Sequence, residues 1–358
     1  MASALAVASG SAPLKRPRQT VTLLETLQAT LLTSKFAPEG CLATHSGHFH
    51  CDEALALAML KVLPENRDRA ILRSRDSALL EKAHLVVDVG AVYDPVKLRF
   101  DHHQRGFAET FNAKKTIKLS SAGLVYKHFG KDIIRKLLAE EIGGNVSDGE
   151  VEVLYNKCYD DFIEHVDGID NGVQAYEGGT KMYYVSTSMS ARVGYLNPEW
   201  NEVGAEENDR FLEAMMLTGT EFVDCVLRNA KRWLPARRVV EDAVSKRFEV
   251  HSSGLIIRFD TACPWKSHLS DLEDEQGFKA LYVMCQDSLG AWRVQCVNDR
   301  GNEFVSRKPL PEKYRGLRDE ELAKASGISD AIFVHAAGFI GGAKSYEGAL
   351  KLAIEALA

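Results

Sequence analysis

Five of the eleven histidines in this 358-residue chain fall in two short segments. His45, His48 and His50 stand in THSGHFHCDE, and His102 and His103 stand in RFDHHQRGF. Between them, Leu85-Val-Val-Asp-Val-Gly90 places Asp88 at the end of an otherwise apolar run. A carboxylate buried there without a partner is costly, and a cation would compensate it. Asp167 and Asp170 close a fourth segment, ending at Gly172. Imidazole and carboxylate without thiolate spacing suit Mn²⁺ or Mg²⁺ better than Zn²⁺, and manganese is the expected ion. Together these imidazoles and carboxylates offer at least six ligands, more than the three or four of a single Zn²⁺, so two cations are implied. Two metals about 3.5–4 Å apart can share a water, lower its pKa and clamp the oxygens of a phosphoryl group. Phosphoester hydrolysis is the expected chemistry. Taken singly, each residue has a plainer explanation. Asp52 serves as a helix N-cap, His45 or His50 as a capping or loop histidine, Asp101 as a turn acceptor, and Asp88 as a partner of Arg73 or Arg75. Four such segments at strand or helix ends are hard to read as independent accidents.

Ligands drawn from distant segments need a scaffold that brings the segment ends together. From Cys41 to about Gly172, short apolar runs alternate with helix-like periods, the pattern of a parallel sheet covered by helices. Strands are expected at Cys41–Thr44, Ile71–Ser74 and Leu85–Val89, and the carboxyl ends of such strands line a ligand crevice. Asp52 is expected to cap a helix carrying Leu55, Met59, Leu60 and Leu63, which Pro64 ends. Ser120 or Ser121 is expected to cap a helix through Phe129. Further helices are expected at Lys131–Glu141, stopped at Gly143-Gly144, and at Val151–Val166. The glycine-bearing stretch from Gly172 to Thr180 is the expected boundary. Beyond it, a helical region from Glu206 to Phe248 is broken by Pro235. Strands are then expected at Gly254–Phe259, Ala280–Met284, Trp292–Val297 and Ala331–His335, with a terminal helix from about Ser345. The chain therefore reads as α/β: residues 1–36 as a disordered or targeting segment, a parallel-sheet domain over 37–175, and over 176–358 a helical linker region and a smaller α+β domain.

Hydrophobic residues make up 45% of the chain and charged residues 26%, which excludes disorder throughout. No apolar run approaches the ~20 residues needed to cross a bilayer, so a soluble protein is expected. The net charge of −6 excludes a polycation and confines any nucleic-acid contact to a local basic surface. Arg228 to Arg238 offers such a surface, in which Lys231 and Arg232 would track a phosphate backbone while Trp233 stacks on a base. A solvated helix face with Trp233 packed inward is the competing reading. Ser306-Arg307-Lys308 offers a second contact. Seven cysteines without a CxxC pair imply a reducing compartment. The first acidic residue is Glu25, and Lys15-Arg16-Pro17-Arg18 precedes it. That start suits a mitochondrial transit peptide, a nuclear import signal or a disordered tail.

The order HxxxxHxDE, VVDVG, DHH and a helix-terminal Asp-Asn-Gly is similar to that of the DHH phosphoesterase superfamily. More closely, THSGHFHCDEALA, VVDVGAVYDP, RFDHHQRGF and FVHAAGFIGGAKSYEGAL resemble the melanocyte proliferating gene 1 family, from about Cys41 to the C-terminus. The resemblance implies a DHH-type catalytic domain followed by a substrate-binding domain. It also implies a metal-dependent phosphodiester hydrolase, a 3′→5′ RNA exonuclease of mitochondria and nucleus, with RNA or a short oligonucleotide as substrate. Carried over by motif, His45, His50 and Asp52 hold one metal, Asp88 bridges both and His102 binds the second. Asp101 orients His102, and His103 faces the substrate as an acid or a phosphate contact. Asp170-Asn171-Gly172 is similar to an Asp-Thr-Gly turn of related enzymes, which favours Asp170 as ligand with Asp167 in reserve. Gly341-Gly342 resembles the glycine pair of the substrate-binding domain. Ala343 stands where a histidine commonly follows, leaving Lys344 or His335 for that contact, and a tight turn would explain the glycines as well. His50 stands where an aspartate is more typical, and His48 reads as an exposed neighbour of the site. A small-molecule phosphatase or pyrophosphatase with the same dimetal core, and an interaction protein keeping a remnant metal site, are the alternatives.

Overall fold

The structure, a computed structural model, describes residues 40–141, 146–176, 178, 183–204, 206–299, 301–302 and 304–358. Residues 1–36, with Lys15, Arg16, Pro17 and Arg18, lie outside these residues, as does the Gly143-Gly144 helix stop. The chain is a mixed α/β protein with two five-stranded sheets. It divides into two units between Asn229 and Ala230 rather than near residue 175.

In the first unit, the apolar runs form β1 (Leu42–Thr44), β2 (Ile71–Arg73) and β3 (Leu85–Val87), joined by β4 (Tyr93–Asp94) and β5 (Arg99–Phe100). Their order is β2-β1-β3-β5-β4, all parallel except β4, which runs antiparallel to β5. Helix α1 (Cys51–Leu60) is buried along its whole length, as a helix without a polar face must be. Its N-cap is His50, in extended backbone, and not Asp52. Glu53 reaches back to accept the His50 N–H at 2.7 Å, so Asp52 enters the first helical turn instead. Pro64 opens a short separate turn, Pro64–Arg67, after α1 has ended at Leu60.

Ser120 caps α2 (Ser121–Glu141), its Oγ accepting the Gly123 N–H at 3.4 Å. This helix runs through Gly130 as one element. A Cβ at Gly130 would lie 2.8 Å from the Tyr155 ring, so close packing explains the glycine and no break occurs. Next come α3 (Asp148–Cys158), a wide π-type turn at Tyr159–Ile163, and α4 (Glu164–Asp170). They form one continuous helix that passes through Gly168. Helix α5 (Glu207–Arg228) packs on α1 and α2, which is why the division of the chain falls after it.

In the second unit, a π-type turn at Asn229–Trp233 leads into α6 (Leu234–Ser245), with Pro235 in its first turn where a missing N–H is tolerated. The sheet comprises β6 (Ile256–Phe259), β7 (Tyr282–Gln286), β8 (Trp292–Cys296), β9 (Ala331–Val334) and β10 (Ile340–Ala343), in the order β6-β7-β8-β10-β9. Only β6 and β7 pair in parallel. Ile257, Phe259 and Val283 pack under α6 and α7 (Lys266–Gln276), while Tyr282, Met284 and Val294 pack under α8 (Tyr346–Glu355). Among the described residues, no helix is long and apolar enough to cross a membrane, and no disulfide joins the cysteines.

Candidate metal centre

Three parallel strands deliver their C-terminal ends to one place. His45 follows β1, Asp88 follows β3, and Asp101 to His103 follow β5. Asp88 adopts a left-handed backbone, φ +57, a conformation that Asp tolerates better than most side chains. Its Oδ2 lies 3.3 Å from His45 Nε2 and its Oδ1 lies 3.3 Å from His102 Nε2. His45 Nε2 is also 3.1 Å from Glu53 Oε1. His102 Nε2 is 3.3 Å from Asp170 Oδ2 and 3.9 Å from Asp52 Oδ2. His50 completes a group with His45, Glu53 and Asp88 whose ligand atoms all lie within 4.8 Å of one another. Asp52, His102 and Asp170 form a second such group, and Asp88, His102 and His103 a third. The start of α2 braces the carboxylates: Ser121 N donates to Asp52 Oδ2 at 3.2 Å, and Ser121 Oγ donates to Asp88 Oδ1 at 3.2 Å.

The cluster carries more negative charge than its imidazoles offset. Burial pushes Asp52 well above the usual carboxylate range, and the charges of Asp88, Asp170 and Glu53 add to it. Burial raises Asp170 too, against the pull of His102. For Asp88, burial is outweighed by the His102 and His45 imidazoles, each 3.3 Å away, which hold it well below its usual value. Burial disfavours the charged His45 ring, yet its bonds to Asp88 and Glu53 lift it to about 10. His102 is raised in the same way, burial being outweighed by Asp88 and Asp170. Asp52 Oδ1, Glu53 Oε2 and His102 Nε2 are buried without a hydrogen-bond partner. Each such group costs on the order of 1–3 kcal/mol. Unpartnered oxygen and nitrogen atoms amid surplus carboxylate fit a divalent cation.

The MYG1 exonuclease family model, described as "Uncharacterised protein family (UPF0160)", matches residues 41–357. The chain belongs to this family. It is 51% identical over 321 residues to the MYG1 protein of Dictyostelium discoideum, covering 88% of this chain and 96% of that one. It is 46% identical over 333 residues to the MYG1 exonuclease of Homo sapiens, 91% and 88% of the two chains. With the MYG1 exonuclease of Bos taurus the identity is 45% over 355 residues, 97% and 92%.

In this MYG1 family member, the structure brings His45, His50, Asp52, Asp88, His102 and Asp170 together and places Asp167 elsewhere. Asp167 Oδ1 accepts from Ser120 N at 2.9 Å and Ser120 Oγ at 2.7 Å, and Oδ2 accepts from the Tyr159 hydroxyl at 3.0 Å. It secures the start of α2, and burial lifts its carboxyl to about 7 against those bonds. Asp101 does not orient His102. Its Oδ1 lies 2.7 Å from His103 Nδ1, and its Oδ2 accepts the Ala91 N–H at 2.6 Å. The residue it steers is therefore His103, whose ring is 60% exposed at the edge of the cluster. Glu53 is the site residue that the sequence reading missed. Its signal was the spacing of a capping box counted from His50, which assigning the cap to Asp52 concealed. His48 is exposed, with its ring centroid 5.5 Å from that of His50.

The remaining candidates lie in the second unit. Gly341 and Gly342 are buried in β10, paired on both sides by β8 and β9, and form no tight turn. A Cβ at Gly341 would lie 2.9 Å from Leu310 Cδ1 and 3.0 Å from the Phe333 carbonyl oxygen, and one at Gly342 2.7 Å from the Trp292 carbonyl oxygen, so packing demands both glycines. Lys344 and His335 are exposed at the two ends of the β9–β10 pair. Lys231 and Arg232 are exposed in the π-type turn. Trp233 is turned inward rather than offered to a base: its ring centroid lies 4.4 Å from that of His268, and Nε1 donates to Ser267 Oγ at 2.8 Å. Arg307 is committed to Glu273 through contacts of 2.6 and 2.8 Å, and Lys308 Nζ donates to the Leu357 carbonyl at 2.7 Å.

Proposed function

We propose that this chain is a divalent-metal-dependent phosphodiester hydrolase of the DHH phosphoesterase kind, working as a 3′→5′ exonuclease on RNA or short oligonucleotides. The convergence of three strand ends and two helix starts on a carboxylate-rich cluster with unpartnered buried atoms carries this reading. Relatives bearing the name MYG1 exonuclease support it. His45, His50, Glu53 and Asp88 would hold one cation, and Asp52, His102 and Asp170 a second, with Asp88 between them. Two Mn²⁺, or Mg²⁺, bound there supply a water of lowered pKa and positive charge to set against the phosphoryl oxygens.

The chain's own groups do the rest. Ser121 fixes the carboxylates of Asp52 and Asp88, and the N-terminal ends of α1 and α2 add partial positive charge beside them. Asp101 accepts the Nδ1 proton of His103, a tautomer assigned from the hydrogen-bond geometry, and so leaves Nε2 for the substrate. When the ring is protonated at both nitrogens, the Nε2 proton can pass to the leaving oxygen or bond a phosphate oxygen, leaving His103 neutral with its Nδ1 proton still held by Asp101. Lys231 and Arg232 would attract the RNA backbone, with the exposed Lys344 in a substrate-binding second unit. The basic start at Lys15–Arg18 agrees with a mitochondrial and nuclear location.

Dialysed protein assayed with Mn²⁺ on 5′-labelled RNA, on dinucleotides and on pyrophosphate tests the reading, with Asp88→Ala as control. A ladder of shortening labelled products, absent with Asp88→Ala, is expected. Labelled mononucleotide from the first turnover would reverse the polarity. Phosphate released from pyrophosphate alone would make the chain a small-molecule phosphatase, and silence on all three would leave an interaction protein.

A further inference from the structure

The loop from His45 to His50 contributes two ligands to the cation centre, and its backbone is held from outside. Asn197, buried and remote in sequence from every ligand segment, directs its side-chain amide at one residue of that loop. Its Oδ1 accepts the Phe49 N–H at 2.9 Å, and its Nδ2 donates to the Phe49 carbonyl at 2.9 Å. A paired contact of this kind fixes the orientation of the backbone as well as its position. The buried Phe49 ring meets Phe211 of α5 edge-on, centroids 5.5 Å apart, and the Arg73 guanidinium lies over the Phe211 ring at 4.7 Å. Arg73 also donates to the Gly47 carbonyl, and Arg75 Nε donates to the Ser46 carbonyl at 3.2 Å.

We propose that Asn197 is a positioning residue of the cation centre, holding the Phe49 backbone so that His45 and His50 stand in register with Asp88. The proposal rests on the metal reading of the site. Phe49 directly precedes His50, the N-cap of the helix that carries Asp52 and Glu53. Successive Cα atoms are only ~3.8 Å apart, so a rotation of the chain at Phe49 swings the His50 ring by a comparable distance. Ligand atoms gathered within 4.8 Å of one another do not survive such a swing as a set. Partners that orient metal ligands typically change metal affinity or activity by about 10–100-fold when removed.

The test is Mn²⁺ binding to the full chain, read from the electron paramagnetic resonance of free and bound Mn²⁺. Asn197→Ala is expected to weaken binding at least about 10-fold and to alter the bound spectrum. Asn197→Asp keeps the shape and the acceptor for Phe49 N–H but sets an acceptor against the Phe49 carbonyl. It should weaken binding in the same direction, and it decides the matter if the alanine variant does not fold. Tyr126→Phe, which removes a buried 2.9 Å bond to the Tyr155 carbonyl in the same unit, should leave Mn²⁺ affinity unchanged. A folded Asn197 variant with the affinity and spectrum of the unmodified chain overturns the proposal, as does failure of both Asn197 variants to fold while Tyr126→Phe folds. Undiminished binding by Asp88→Ala would instead overturn the metal reading itself.

Discussion

Asp52→Asn separates what the crowded carboxylates cost from what they hold. In the chain without cations, Asp52 lies among Glu53, Asp88 and Asp170, and its Oδ1 is buried with no partner. Asparagine keeps the volume and an acceptor for the Ser121 N–H, removes the charge, and brings a donor toward the neighbouring carboxylates. Relieving one unpartnered buried group is worth about 1–3 kcal/mol. At about 2–4 °C per kcal/mol for a unit of this size, Asp52→Asn in chelator should melt roughly 2–12 °C above the unmodified chain. With cation present the order should reverse. An ion at about 100 times its Kd adds ~2.7 kcal/mol, so two add ~5 kcal/mol to the unmodified chain, and the variant should lose most of one share. Thermal unfolding followed by circular dichroism, in chelator and across a Mn²⁺ series, shows whether the curves cross. A variant less stable than the parent in chelator, or a parent whose Tm ignores saturating Mn²⁺, would refute the reasoning.

His103→Gln should lower turnover on RNA by about 100-fold or more while nearly preserving Mn²⁺ affinity, measured by steady-state kinetics and metal titration; loss of metal binding would make His103 a ligand rather than a proton carrier. Asp167 carries a pH signature. Its folded carboxyl sits at about 7 against an unfolded value of ~3.9, so its stabilising contribution is complete below about pH 4 and disappears as the pH rises through about 7. Asp167→Asn should flatten that part of the urea-midpoint profile, and an unchanged slope would count against it. Lys231→Glu combined with Arg232→Glu should weaken binding of single-stranded RNA more at low salt than at high salt, as a titration at two ionic strengths would show. Equal loss at both would mean a packing defect.

The parallel strands of the first unit were legible because strands buried on both faces read as unbroken apolar runs, and β1 to β3 fall where Leu42, Ile71 and Leu85 begin such runs. The convergence of the histidine and carboxylate segments was legible because polar residues directly after those runs must sit at strand ends. What failed was local geometry that depends on a partner distant in sequence. Asp167 and Asp170 look alike in the sequence, and only the fold shows that Ser120 and Tyr159 engage one of them. Gly123 is a trace of that arrangement: a Cβ there would lie 2.3 Å from Asp167 Oδ1. Asp101 and the two histidines after it are adjacent in the chain, so which ring it holds depends on the course of the backbone after β5. Gly341 and Gly342 read as a glycine pair that lets backbone approach a phosphate, or as a tight turn, because glycine marks close strand packing as well and composition does not separate these uses. Asn197 left no signal, since a lone buried amide is defined by the backbone it meets.

The wide turn at Tyr159–Ile163 determines where the helix beyond it points. It lodges an additional residue in a rod that would otherwise keep a 3.6-residue pitch, and everything after it is turned by about 100°. Excising a single amino acid there would restore a regular rod and sweep Asp170 away from His102, although no ligand had been touched. This stretch should accept exchanges of side chain far more readily than any change in length, which makes its residue count part of what gathers the carboxylate and imidazole cluster.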